Sequence, residues 1–153
     1  MNRRKPIILG LVGLFVIIQF IRPDRNHTGQ VSDQSLMHLY HPPDSITRII
    51  QLSCMNCHSN NTEYPWYSNV QPFGWWLGYH ILKGKEALNL DEFAGYSHRR
   101  KISKLRSMRD QMRDGEMPLR SYIWMHKDAR LSYAQKVSLT SWLDKTIDSL
   151  NQQ

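Results

Sequence analysis

Five consecutive residues, Cys54-Met55-Asn56-Cys57-His58, constrain this chain more than any other stretch. They place two thiols and an imidazole within a turn and a half of backbone. At about 100° per residue on a helix, Cys54, Cys57 and His58 fall at roughly 0°, −60° and +40°, so all three point to one side. The pattern C-x-x-C-H is the attachment signature of a c-type haem. Each thiol can form a thioether with one porphyrin vinyl group, and the imidazole can ligate the iron. A flat macrocycle lying on a helix end needs that one-sidedness.

The 153 residues hold only these two cysteines, so no general disulfide framework exists. A thioredoxin-like pair belongs in a βαβ setting. A zinc site wants a fourth ligand and usually a second paired motif. Neither pattern is present in the sequence. The length suits one domain. Arg3, Arg4, Lys5, Arg22 and Arg25 against Asp24 supply more than half of the +7 net charge. The excess therefore flanks one apolar segment and does not form the basic patch of a nucleic-acid binder.

That segment, Pro6 to Ile21, carries no charge and one amide, Gln19. Its 16 residues fall slightly short of the roughly 20 that comfortably span a bilayer. A basic stretch precedes it, as in a secretory signal, and no small-x-small cleavage site follows. We read it as an uncleaved signal anchor with its positive end in the cytoplasm. A cleaved signal and a buried core helix are the alternatives. The expected location is the bacterial inner (cytoplasmic) membrane, with the remainder facing the periplasm, where c-type haem is assembled. The expected division is a transmembrane segment over 1–27, a tether over 28–43 and a haem domain over 44–153.

No alternating strand pattern appears, and the fold class expected for the domain is all-α. Asp44 is a credible N-cap for a helix in which Ile46, Ile49 and Ile50 recur at helical spacing, delivering the motif at its C-terminal end. A second helix is expected from about Gly74. Between His98 and Asp114, Ile102, Leu105, Met108 and Met112 form an apolar stripe, with basic residues on the other faces and Gly115 as C-cap. Ser132 and Gln135 fit a capping box opening a terminal helix, whose stripe is Tyr133, Val137, Leu139, Trp142, Leu143, Ile147 and Leu150.

The position opposite His58 on the iron steers function, because Met, His or a vacancy there favours different chemistry. Met117 is the first candidate. It lies in a turn, off the core stripes, and Pro118 follows and fixes the backbone. His80 and His126 are the alternatives. Seven of the sixteen aromatic residues fall between Tyr64 and Tyr79. Of these, Tyr64, Trp66, Tyr67, Trp75 and Trp76, with Pro118, are candidates for walling the haem; packing a core is the competing role. The basic run around Arg99–Arg113 is a solvated face, a docking surface for an acidic redox partner, or a counter-charge for haem propionates.

The strings CMNCHSNNTEYPWYSNVQPFGWWLGYHI and GEMPLRSYIWMH resemble the bacterial haem-binding domain family, with its CxxCHSNxTxYPWY, WW…HI and GEMPL…Y…H segments. The resemblance runs from the apolar segment to Trp142. It implies a small cytochrome c-like helical domain with one covalently attached haem c on Cys54 and Cys57, and His58 as proximal ligand. Met117 matches the methionine of the family's Met-Pro turn, and its distal role follows by analogy with cytochromes c. The expected function is one-electron transfer by a membrane-tethered monohaem protein, an electron carrier or haem-binding protein more than an enzyme in its own right. The alternative is a peroxidase-like enzyme or small-ligand sensor with a displaceable sixth position.

Overall fold

A computed structural model describes residues 4–28 and 33–152 of the chain. Arg3, with its positive charge, and residues 29–32 of the expected tether lie outside the described residues. The helices are α1 (Arg4–Ile18), α2 (Leu36–Tyr40), α3 (Asp44–Ser53), α4 (Met55–His58), α5 (Phe73–Ala87), α6 (His98–Asp114), α7 (Arg120–Met125) and α8 (Tyr133–Asn151). Short 3-10 turns sit at Trp66–Asn69, Phe93–Gly95 and Lys127–Ala129. Among the described residues no strand forms; one isolated antiparallel bridge joins His27 and Asn61. The all-α expectation holds.

The platform is the pairing of α6 with α8. Leu105, Met108 and Met112 face Leu139, Leu143, Ile147 and Leu150 in one buried cluster. Ile46, Ile49 and Ile50 of α3 close it from a third side, and Leu36, Leu90 and Phe93 complete it. Each such side chain stabilises the fold by about 1.5–3 kcal/mol relative to exposure. Asp144 of α8 reaches Arg109 at 2.9 Å and Arg113 at 2.7 Å, so part of the basic run of α6 serves this pairing. Gly115 ends α6 at φ 74°, the left-handed region where glycine carries no Cβ penalty. The capping box of Ser132 and Gln135 opens α8.

Several expectations need correction. The apolar segment forms α1, but its 15 residues rise only about 22 Å, against a hydrocarbon thickness of about 30 Å. Among the described residues no helix is long and apolar enough to cross a membrane, so the expected N-terminal transmembrane helix is not found. The helix stops because Gln19 turns away. Its Nε2 donates to Phe15 O at 2.9 Å and to Gln71 O at 3.2 Å, and Gln71 N–H donates to Gln19 Oε1 at 2.8 Å. Nor is α1 a core helix, since it buries no residue and Leu9 is 76 % exposed.

The tether is also more than a tether. Ser35 caps α2, Leu36 is fully buried, and Leu36 N–H donates to Leu90 O at 2.7 Å. Asp44 is the first residue of α3, with Pro43 in the cap position. Tyr133 and Val137 are exposed, because the first turns of α8 overhang the core.

Candidate functional site

The motif occupies a break between helices. Cys54 leaves α3 at φ −124° and ψ −41°, and α4 is a single new turn. The Cys54 carbonyl accepts from Cys57 N–H at 3.1 Å and His58 N–H at 3.0 Å, which ties the two ends of the motif together. Helix α5 lies against this turn, and Gly84 is what allows it. A Cβ at position 84 would sit 2.6 Å from Cys57 O and 3.2 Å from Cys57 Cβ. A glycine inside a helix costs up to about 1 kcal/mol relative to alanine; here it leaves room for the motif.

His58 is held from both sides. Its Nδ1 lies 3.0 Å from the carbonyl of Leu88, the residue that caps α5, and its own carbonyl accepts from Leu90 N–H at 2.7 Å. With Nδ1–H donating to Leu88, the Nε2 lone pair is left for a metal; the tautomer is assigned from this hydrogen bond. Burial lowers the His58 pKa, opposed by the Leu88 and Gly84 backbone groups. The imidazole therefore stays neutral more readily than a free histidine, as ligation requires.

Both cysteines are half-buried free thiols. Desolvation, reinforced by the neighbouring Cys57, pushes Cys54 up to about 12; burial also raises Cys57. This is the opposite of an activated redox pair, whose reactive thiol is depressed. Both sulfurs are therefore held as neutral thiols.

Two adjoining hollows open at the motif. One, about 170 Å³, is lined by Cys54, His58, Leu88, Lys104, Met108 and Met112, among others. The other, about 300 Å³, is lined by Cys57, His58, His80, Lys83, Gly84 and Tyr122, among others. Met117 and Pro118 line both. Met117 reaches this place because the last turn of α6 folds back on itself. The Gln111 carbonyl accepts from Glu116 N–H at 3.0 Å and Met117 N–H at 3.2 Å. Lys104 Nζ donates to Ala87 O at the rim of the smaller hollow.

The other predicted residues separate into four groups. His80 lines the larger hollow, its Nδ1 3.0 Å from Trp76 O. His126 lines neither hollow. Its Nδ1 is 3.2 Å from Tyr122 O, its ring stacks on Tyr122 at 4.2 Å, and its Nε2 is 3.5 Å from Tyr67 Oη. Tyr64, Trp66, Tyr67, Trp75 and Trp76 also line neither hollow. Tyr64 Oη accepts from Asn26 N–H at 2.7 Å, and Trp75 Nε1–H donates to Ile21 O at 2.7 Å, so these rings hold the segment after α1. Trp66, Tyr67 and Trp76 line a separate groove of about 790 Å³.

The residues missed from sequence are polar. Asn56 Nδ2 donates to Tyr122 Oη at 2.8 Å, which joins the motif to α7, and Thr62 Oγ1 donates to Asn56 O at 2.8 Å. Asn60 N–H donates to Asp91 Oδ2 at 2.8 Å, and Asn26 Nδ2 donates to Ser59 O at 2.9 Å. Ser59, Thr62 and Asp91 are buried. The SNNTEY string thus braces the motif through satisfied buried polar groups. Its density in Asn, Ser and Thr directly after the motif was the available signal.

The donor set fits a haem: a neutral imidazole with a free Nε2, two sulfurs on the same turn, a methionine beside the same hollows and a glycine that keeps the approach clear. Comparison with known proteins agrees in kind. The pattern of the family described as "Haem-binding domain" matches residues 13–145. No curated protein and no solved structure matches the chain.

Proposed function

The chain belongs to the haem-binding domain family, and from that premise we propose that it is a one-electron carrier with a single covalently attached haem c. When bound, haem supplies the Fe(III)/Fe(II) couple. Cys54 and Cys57 would hold it through thioethers, His58 would ligate the iron through Nε2, and the Leu88 carbonyl fixes the ring and raises its basicity. Met117 would supply the second protein ligand. Lys104, which lines the smaller hollow, offers counter-charge to a propionate, whereas Lys83 of the larger one is already paired with Glu86 at 2.7 Å. The observation that carries the reading is that His58, Met117 and Pro118 line both hollows, with Cys54 on one and Cys57 on the other.

The apolar α1 attaches the protein to the bacterial inner membrane, and the haem domain works in the periplasm, where attachment takes place. Arg99 and Arg106, exposed on α6, form the face that meets an acidic redox partner. A ferrous protein that ignores carbon monoxide and shows a methionine-to-iron charge-transfer band in the ferric state meets this proposal. A high-spin ferric spectrum with rapid ligand binding overturns the carrier role.

That second outcome belongs to a second reading, favoured by one observation. His80 and Tyr122 line the same hollow as Met117. If Met117 is displaced, the Tyr122 O–H is free to donate to a bound peroxide or small gas, and His80, whose Nδ1–H donates to Trp76 O, offers Nε2 as an acceptor; the protein is then a peroxidase-like enzyme or a sensor.

A further inference from the structure

The end of the domain where α1 meets α5 carries an unusual surface. Trp66 is 76 % exposed and Trp124 80 % exposed, and with Phe73, Trp76 and Met125 they line the apolar groove of about 790 Å³. A contiguous exposed patch of large apolar side chains marks a binding surface. Tryptophan in particular suits a membrane–water interface, where one end of the ring is apolar and the other wet.

What covers it is indicated by α1. Gln71 and Trp75 receive the C-terminal end of the α1 segment, through the paired Gln19–Gln71 hydrogen bonds and the Trp75–Ile21 bond, and Pro23 lies so near Gly78 that a Cβ there would sit 3.5 Å from it. Pro72, Phe73 and Trp76, from the same two turns of chain, line the groove. The apolar helix and the apolar groove thus belong to one tip of the molecule. Arg25 lies beside them. Its Nη2 donates to Asn69 Oδ1 at 2.6 Å, in the turn that carries Trp66, and its guanidinium lies 4.7 Å above the Tyr64 ring. Arg22 and Arg25 are both exposed, at the level where anionic headgroups would meet them.

We propose that this tip is a membrane-docking face: the Trp66–Phe73–Trp76–Trp124 groove lies in the phospholipid interface beside the point where α1 enters the bilayer. The inference rests on the reading that α1 is held in the membrane. It adds that the domain does not swing on a leash. His58 is bonded at the far end of α5, about 20 Å from the tip along the helix. The larger hollow reaches back to His80, whose ring lies 4.4 Å from that of Trp76, so docking the tip turns that side of the site toward the lipid and leaves the Leu88 side open to a soluble partner.

The test uses the full haem-loaded chain labelled with 5-fluorotryptophan, in nanodiscs of phosphatidylcholine and phosphatidylglycerol. Fluorine NMR then resolves the five tryptophans, with headgroups chelating gadolinium compared against lanthanum. The Trp66, Trp76 and Trp124 resonances are expected to broaden severalfold more than that of Trp142, which packs on the core at α8. In the Trp66→Ser/Trp124→Ser chain, Trp76 loses the extra broadening while nanodisc binding persists. If the chain binds nanodiscs but Trp66 and Trp124 broaden no more than Trp142, the anchor stands and the docking face is overturned; a second copy or a protein partner then covers the groove. If the chain does not bind nanodiscs, the membrane reading fails and the docking face fails with it. Should the double variant not fold, the parent chain's resonances decide alone.

Discussion

Around His58, hollows of about 170 and 300 Å³ are framed by groups that hydrogen bonds hold in place. The groove at the α1 tip is larger, about 790 Å³, and is framed by rings standing in solvent. His58 is fixed by Leu88 and Leu90, and Asn56 by Tyr122 and Thr62. In the groove, Trp66, Phe73 and Trp124 are largely exposed. The contrast teaches that size does not mark the chemical site. A site that must hold a metal-bearing group needs donors of fixed orientation, whereas a face that meets a fluid lipid interface needs area and rings with a polar edge.

Substitutions break this contrast in graded ways. Cys57→Ser removes one thioether and should strip most of the stably bound haem, read as a severalfold fall in the haem-to-protein ratio after purification; an unchanged ratio would separate Cys57 from attachment. Met117→Ala should abolish the methionine-to-iron charge-transfer band while leaving haem covalently bound. His80→Ala should leave the band intact, and loss of the band in the His80 variant alone would move the distal role to it.

Gly84→Ala drives a methyl group against the Cys57 carbonyl and should destabilise the fold by about 1–3 kcal/mol in chemical denaturation, although alanine is the better helix former. Gly78→Ala on the same helix meets only Pro23, at 3.5 Å, and should be neutral or slightly stabilising. Equal effects at the two positions would remove the argument for close packing at the motif.

A pH-dependent effect follows from the thiols. In haem-free protein, Cys54 is raised from 9.0 to about 12 by desolvation and by Cys57. The unfolded state therefore releases its proton first, and stability falls as pH rises from about 9 toward 12, by at most about 1.4 kcal/mol per pH unit for one thiol. Thioether formation removes that titration, so the haem-loaded protein should lack this slope. Smallest of all, Trp66→Ser should change stability in solution by no more than about 0.5 kcal/mol and leave haem content untouched, as befits an exposed ring that lines neither hollow.

What was legible in the sequence was local. The C-x-x-C-H string, the apolar stripe and Gly115 of α6, and the Ser132–Gln135 capping box each depend on neighbours within a turn or two. What was not legible depends on distant partners. Leu36 reads as part of a polar tether until Leu90 is seen to receive its N–H. The aromatic run reads as a haem wall until Asn26, Ile21 and the groove are seen to take its members. Gln19 ends α1 through Gln71, 52 positions away. The SNNTEY string could not be read as a brace without Asn26 and Asp91 in place beside it.

The central claim is covalent attachment at Cys54 and Cys57, and the most direct test is a pyridine haemochrome spectrum of purified protein before and after acid–acetone extraction. The protein should be expressed together with the haem-attachment machinery. Attachment predicts that the haem stays with the polypeptide and that the spectrum keeps the c-type signature of two thioether-linked vinyl groups. Haem that passes into the acetone, leaving colourless protein, would contradict the account.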